Sequence, residues 1–349
     1  MVLQTSSSFR TDTQDFADSS QDRPLNLQTV FIVGRGRSGT TWLAQMMNTY
    51  PHCSYKHEPF LEHKSTDYNH WLEAIESSQI GQLRAEYKSI CPKAYHDVDM
   101  PPYPPKSFRT QNSKLLHLLY GVGKRVDAFK PLYESYGTVK LTDRTPVLIK
   151  DVNFPERLLP RLCEVLEPHV LAVIRHPFAN IASYFKGLEL SLFAQNQKAK
   201  IENVRQILQR PENQHFSQYL DRLDEMSPAQ FEALTWRLNV ESLVEFARRY
   251  DRGFVVVYDD VCRDPQSKMA EIFDFVGWEL TQSTRDFIDR SISGEKNSLS
   301  SSKAYYSVYR DPRQSLSKWK TQLTDEQVAD IASVIRESPL VDLWSDLPL

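Results

Sequence analysis

The stretch TVFIVGRGRSGTTWLAQMM, Thr29 to Met47, runs from an unbroken apolar segment through a glycine-containing loop into a second apolar-rich segment. Continuous Val, Ile and Phe without alternation is the pattern of a strand covered on both faces, as in a parallel sheet. The strand is predicted to end at Gly34 and a helix to begin near Thr40. That places the loop's backbone N–H groups and a helix N-terminus around one point, the requirement for holding an anion such as phosphate. Gly36 and Gly39 allow close approach and unusual dihedrals. Ser38, Thr40 and Thr41 contribute hydroxyls, and Arg37 a forked cation. An ATP-using loop of the form GxxxxGK[ST] would place lysine where Thr40 stands, although Gly34 and Gly39 keep its spacing.

Three further short apolar runs, Val147–Ile149, Val170–Ile174 and Phe254–Val257, have the same character. Helical segments follow the last two, at Ala179–Lys186 and Pro265–Val276, and Leu188–Leu238 also reads as helical. The pattern predicts an α/β fold: a P-loop-type parallel sheet with helices on both faces and right-handed crossovers. Residues 1–27 read as a disordered polar tail, and 28–349 as a single domain.

Composition narrows the function classes. Of 349 residues, 40% are hydrophobic, enough for a substantial core, while 42 basic and 45 acidic residues interleave to a net charge of −3. Nucleic acid is therefore not an expected partner, though a local basic pocket for a small anion is compatible with this balance. Cys53, Cys91, Cys163 and Cys262 lack any paired or metal-ligand spacing, so reduced thiols and no metal are expected. No apolar run is long enough to span a bilayer, and the N-terminus lacks a secretory pattern; the expectation is a cytoplasmic protein.

A second candidate anion site lies in VLAVIRHPFANIASYFK, Val170 to Lys186. Arg175 ends a strand and Ser183 lies eight residues on in the next helix, where open α/β sheets place ligands. On these residues alone, a salt-bridging arginine and a packing serine explain the pattern equally well. The segment CSYKHEPF offers His57 and Glu58 as bases, and VLIKDV sets Lys150 directly after a strand, where a cation can face developing charge.

Arg37-Ser38-Gly39-Thr40-Thr41-Trp42 resembles the 5'-phosphosulfate loop of sulfotransferases, and the R-x-P-x-x-x-x-x-S pattern from Arg175 to Ser183 resembles their 3'-phosphate motif. The resemblance implies 3'-phosphoadenosine 5'-phosphosulfate (PAPS) as co-substrate, no metal, and Arg37 beside the bridging oxygen. Similarity to tyrosylprotein and carbohydrate sulfotransferases favours Glu58 over His57 as base and places Lys150 at the sulfonate. Gly187 stands where tyrosylprotein enzymes carry an extra arginine, with Lys186 adjacent. Tyr258 falls at a nucleotide contact, whereas Trp236 reads as core. Lys318 matches the lysine of a terminal K-W pair, and Ser302 matches with a spacing off by one. The resemblance spans Thr29 to Leu323.

Residues 61–146 match no motif of the family, and they and 188–235 are expected to be helical insertions on the acceptor side. The aromatics Tyr68, Trp71, Tyr87, Tyr95, Tyr103 and Phe108 there are open to either stacking or core roles. The implied partner is a small-molecule or glycan acceptor whose hydroxyl or amine belongs to a carbohydrate, lipid, phenol or tyrosine. A P-loop small-molecule kinase using ATP, and a non-catalytic nucleotide-binding protein, are the competing readings.

Overall fold

The computed structural model describes residues 27–142, 144–190, 197–293 and 312–349. Five parallel strands, β1 (Thr29–Val33), β2 (Ser54–His57), β3 (Val147–Lys150), β4 (His169–Ile174) and β5 (Gly253–Val257), form one sheet in the order β2-β3-β1-β4-β5. With β1 central and the chain running to β2 and β3 on one side before crossing to β4 on the other, a crevice opens beyond the carboxyl ends of β1, β3 and β4.

Along the chain, α1 (Thr40–Asn48) follows β1. Between β2 and β3 lie α2 (Thr66–Ala74), α3 (Ile80–Ile90), α4 (Ser113–Gly123) and α5 (Lys130–Gly137). Helix α6 (Leu159–Leu166) precedes β4, and α7 (Pro177–Glu189), α8 (Gln197–Leu208) and α9 (Pro228–Arg249) lead to β5. After β5 come α10 (Tyr258–Arg263), α11 (Pro265–Phe275), α12 (Gln282–Ile292), α13 (Gln314–Ser317), α14 (Trp319–Gln322) and α15 (Asp325–Ile335). Both faces of the sheet are covered. Val30 and Ile32 face a core built with α1, α11 and α12, and Phe31 and Val33 face one built with α2, α3 and α6. This is why the β1 run does not alternate: every one of its side chains is buried.

Three features depart from the expected elements. Strand β2 is short and polar, so no apolar run announces it; its pairing with β3 creates it, His57 lying opposite Lys150. Helix α10 intervenes between β5 and the anticipated helix. The long helical reading after Leu188 is broken at Pro211 and Pro228, and α9 starts afresh behind a capping box of Ser227 and Gln230. Tyr68, Trp71 and Tyr87 are core, packed with Phe60, while Tyr95, Tyr103 and Phe108 are half-buried. Trp236 is core as expected, and all four cysteines are free and buried. No helix among the described residues is long and apolar enough to cross a membrane.

Candidate active site

The loop between β1 and α1 is shaped by close contacts that only glycine permits. A Cβ on Gly34 would lie 2.4 Å from the Val173 carbonyl oxygen of β4. Gly39 has φ +93°, and a Cβ there would fall 2.1 Å from the Tyr258 ring, so Tyr258 rests on the loop itself. Its ring also meets Trp42 edge-on at 6.0 Å and carries the Arg175 guanidinium at 5.2 Å. Residues from the ends of β1, β4 and β5 thus converge. Gly39→Ala is expected to lower stability by about 1–3 kcal/mol through the positive φ alone, with the displaced ring adding to it; a thermal melt checks this.

Ser38 turns inward. Fully buried, its hydroxyl donates to the Arg35 carbonyl at 2.6 Å, a contact that shapes the loop. Thr40 is buried with its methyl toward Gly34, Thr41 is half-buried, and the Trp42 indole donates to Ser291 Oγ at 3.1 Å. Three residues that sequence reasoning passed over hold the loop from behind. Arg35 pairs with Glu232 of α9 and with the Asn180 side chain of α7, and Asn180 Nδ2 donates to the Gly36 carbonyl at 3.1 Å. The one available signal was an amide, Asn180, inside the otherwise apolar start of α7.

The two anion motifs meet. Arg37 Nε donates to Ser183 Oγ at 3.1 Å across 146 residues of sequence, and Arg175 Nη1 donates to the Arg37 carbonyl at 3.0 Å. Arg175 Nη2 donates to the Ser315 carbonyl at 3.1 Å, while its Nε is buried without a hydrogen-bond partner among the described residues. The Ser315 segment leads into Lys318, which is exposed, and Trp319, whose ring lies under His176 and Phe178. Lys186 is paired with Glu189 at 2.7 Å on the surface. Ser302 lies outside the described residues.

On the other side of β1, the register that sets Lys150 opposite Ile32 and His57 brings it to Glu58, with which it forms an ion pair. Glu58 adopts φ +51°, its N–H donating to the Lys150 carbonyl at 2.6 Å. Lys64 Nζ approaches the second carboxylate oxygen at 3.3 Å. His57 Nδ1 lies 2.6 Å from the Tyr55 hydroxyl and its Nε2 is 3.9 Å from Glu58. Lys150 is buried, and the neighbouring Asp151 accepts from the Phe60 and Asn153 N–H groups.

The family model described as "Sulfotransferase domain" matches residues 27–340. The chain belongs to the sulfotransferase family. Solved structures similar to this sulfotransferase include the sulfotransferase domain from the Synechococcus PCC 7002 olefin synthase, at 14% identity and TM-score 0.44, covering 88% of this chain and 94% of that one. A mouse sulfotransferase complexed with PAP is 14% identical at TM-score 0.44, with 90% and 86% covered. A Mycobacterium avium sulfotransferase is 15% identical at TM-score 0.41, with 93% and 78% covered. No curated protein is significantly similar in sequence.

Burial and neighbouring charges shift the ionisable groups of the sulfotransferase crevice. Burial would raise the Glu58 carboxyl, but Lys150, then His57 and Lys64, overcome it and hold it at about 2. Burial lowers Lys150, and its ion pair with Glu58 opposes that shift. Burial first, then Lys150, pushes His57 down to about 3. His176 is likewise lowered to about 4, chiefly by burial.

An unfolded chain takes up a proton at each of these histidines as pH falls through 6.5, and the folded chain does not until about 4 or below. At these two histidines the unfolded state binds more protons in that window, so they lower stability on acidification between about 6.5 and about 4, while Asp151 and Glu156, raised by burial to about 6 and about 8, act in the opposite direction. Melting temperatures measured across the window isolate the His176 contribution: His176→Phe, which preserves the ring stack on Trp319, is expected to gain stability relative to the parent chain as pH falls from about 6.5 to about 4.

Proposed function

We propose that this sulfotransferase transfers the sulfuryl group of PAPS to a hydroxyl or amine of a small-molecule or glycan acceptor, with Glu58 as general base. The observation that carries the reading is the contact of Arg37 with Ser183, backed by Arg175 on the Arg37 carbonyl: two anion-binding motifs far apart in sequence share one crevice. One nucleotide phosphorylated at both ends suits such a pair. An ATP-using loop would need a lysine at position 40, where this chain has Thr40.

In this reading the loop amides, the N-terminus of α1 and Arg37 hold the 5'-phosphosulfate, Arg175 and Ser183 the 3'-phosphate, and Tyr258 the nucleotide from beneath. The acceptor oxygen attacks sulfur as its proton passes to Glu58. The bond from sulfur to the bridging oxygen breaks, and adenosine 3',5'-bisphosphate leaves with its new charge beside Arg37. Lys150 exchanges Glu58 for the sulfonate oxygens, which makes the carboxylate more basic as the donor settles. Residues 28–349 act as a single domain, and 61–146 with 188–235 bound the acceptor side.

Titration with adenosine 3',5'-bisphosphate and with ADP tests the donor site. Clear preference for the bisphosphate is expected; preference for ADP overturns the reading in favour of a kinase. A screen of acceptors with radiolabelled donor, with Arg37→Ala as blank, then identifies the acceptor.

A further inference from the structure

We propose that the helical hairpin α4–α5 is a docking surface for an anionic lipid bilayer. Large apolar side chains are exposed together here: Leu115, Leu118, Val126, Phe129 and Leu132 all fall within this one hairpin, Leu118 at 62% and Leu132 at 53% exposure. Solvent-facing apolar residues scattered singly need no explanation, but a cluster on one element marks an interaction site. The hairpin is not loosely attached. Its inner face, Leu116 and Tyr133, is fully buried against Ala94, Tyr103 and His96, so the outer residues are presented by a fixed scaffold.

Charge selects the partner. Lys114, Lys124 and Arg125 flank the apolar residues, are exposed, and make no ion pair among the described residues. Against these three cations the hairpin carries two acids: Glu134, which accepts the His96 N–H at 3.2 Å, and Asp127, 90% exposed and 3.2 Å from Lys130, which Asp97 also holds at 2.8 Å. A positive apolar surface therefore stands on a chain of net charge −3. Apolar side chains at the acyl boundary with cations at the headgroups is the arrangement by which interfacial helices bind anionic membranes. A second copy fits poorly, since a two-fold interface would set the same cations against one another.

The segment that seats the hairpin also reaches the catalytic edge. Val98 accepts the His57 N–H at 3.1 Å, beside Glu58. Docking through α4–α5 would thus act on the acceptor side of the crevice. The inference does not depend on the identity of the donor.

Co-sedimentation of the full chain with vesicles of phosphatidylcholine plus phosphatidylserine, against pure phosphatidylcholine, tests it. Binding to the anionic vesicles only, and its release by salt, are expected. Lys124→Ala and Arg125→Ala are each expected to weaken it about fivefold, and Leu118→Ser with Phe129→Ser to abolish it at an unchanged melting temperature. The proposal is overturned if the wild-type chain stays in the supernatant, or if all these variants pellet as it does. It is equally overturned if Leu118→Ser with Phe129→Ser turns a dimer into a monomer, which would make the surface a self-interface.

Discussion

Glu58→Gln is expected to lower kcat by about 10²- to 10⁴-fold, the usual contribution of a positioned general base, while affinity for adenosine 3',5'-bisphosphate is unchanged. Glutamine keeps the shape and the contact with Lys150 but cannot take a proton at neutral pH. It also leaves Lys150 buried without its counter-charge, and the low-dielectric surroundings then favour the neutral amine. Two effects are therefore combined in this variant. Adding Lys150→Met separates them: the double variant is expected to be no slower than Glu58→Gln by the full effect of Lys150→Met, because groups acting as a unit are not additive. His57→Gln is the control for the neighbouring candidate. A larger loss in His57→Gln than in Glu58→Gln would move the base to His57, whose neutral ring is itself able to accept a proton.

Arg37→Ala is expected to lower kcat by about 10²- to 10³-fold, the scale for removing one charge-stabilising donor, and also to weaken nucleotide binding. Arg37 is at the meeting point of both motifs, so its loss removes the contact with Ser183 as well as the proposed contact with the leaving group. Arg37→Lys restores the charge but not the fork, and a partial rescue is expected. Arg175→Met provides the contrast, because Arg175 is assigned to ground-state binding. Its loss should raise the KM for the donor with kcat less affected. If Arg37→Ala turned over at the wild-type rate, the proposed leaving-group contact would be wrong, whatever the nucleotide affinity.

Glu58, Lys150 and His57 form one titrating group in which each partner sets the others. Two lysines on one carboxylate keep it ionised and weakly basic at rest. In the proposed mechanism, arrival of an anionic donor would give Lys150 a second partner, and base strength would be coupled to donor binding by electrostatics alone. His57 and His176, held neutral by burial, oppose the folded state on acidification, and the buried carboxyls Asp151 and Glu156 offset them.

Local sequence alone determined the strand-and-loop units. An apolar run that fills both faces of a sheet, glycines where a Cβ has no room, and a cation at or beyond the ends of β1, β3 and β4 are short-range features, so β1, β3, β4, β5 and the positions of Arg37, Lys150 and Arg175 were legible. What joins these units was not. Strand β2 has four residues and no apolar run, and it exists because β3 lies between it and β1; that order, spanning 92 residues from Glu58 to Lys150, makes the ion pair. The inward turn of Ser38 and the Arg35–Glu232–Asn180 brace likewise depend on α7 and α9 closing over the loop. Whether a polar side chain faces a ligand or the interior is a property of what packs against it, and that is decided only when distant segments meet.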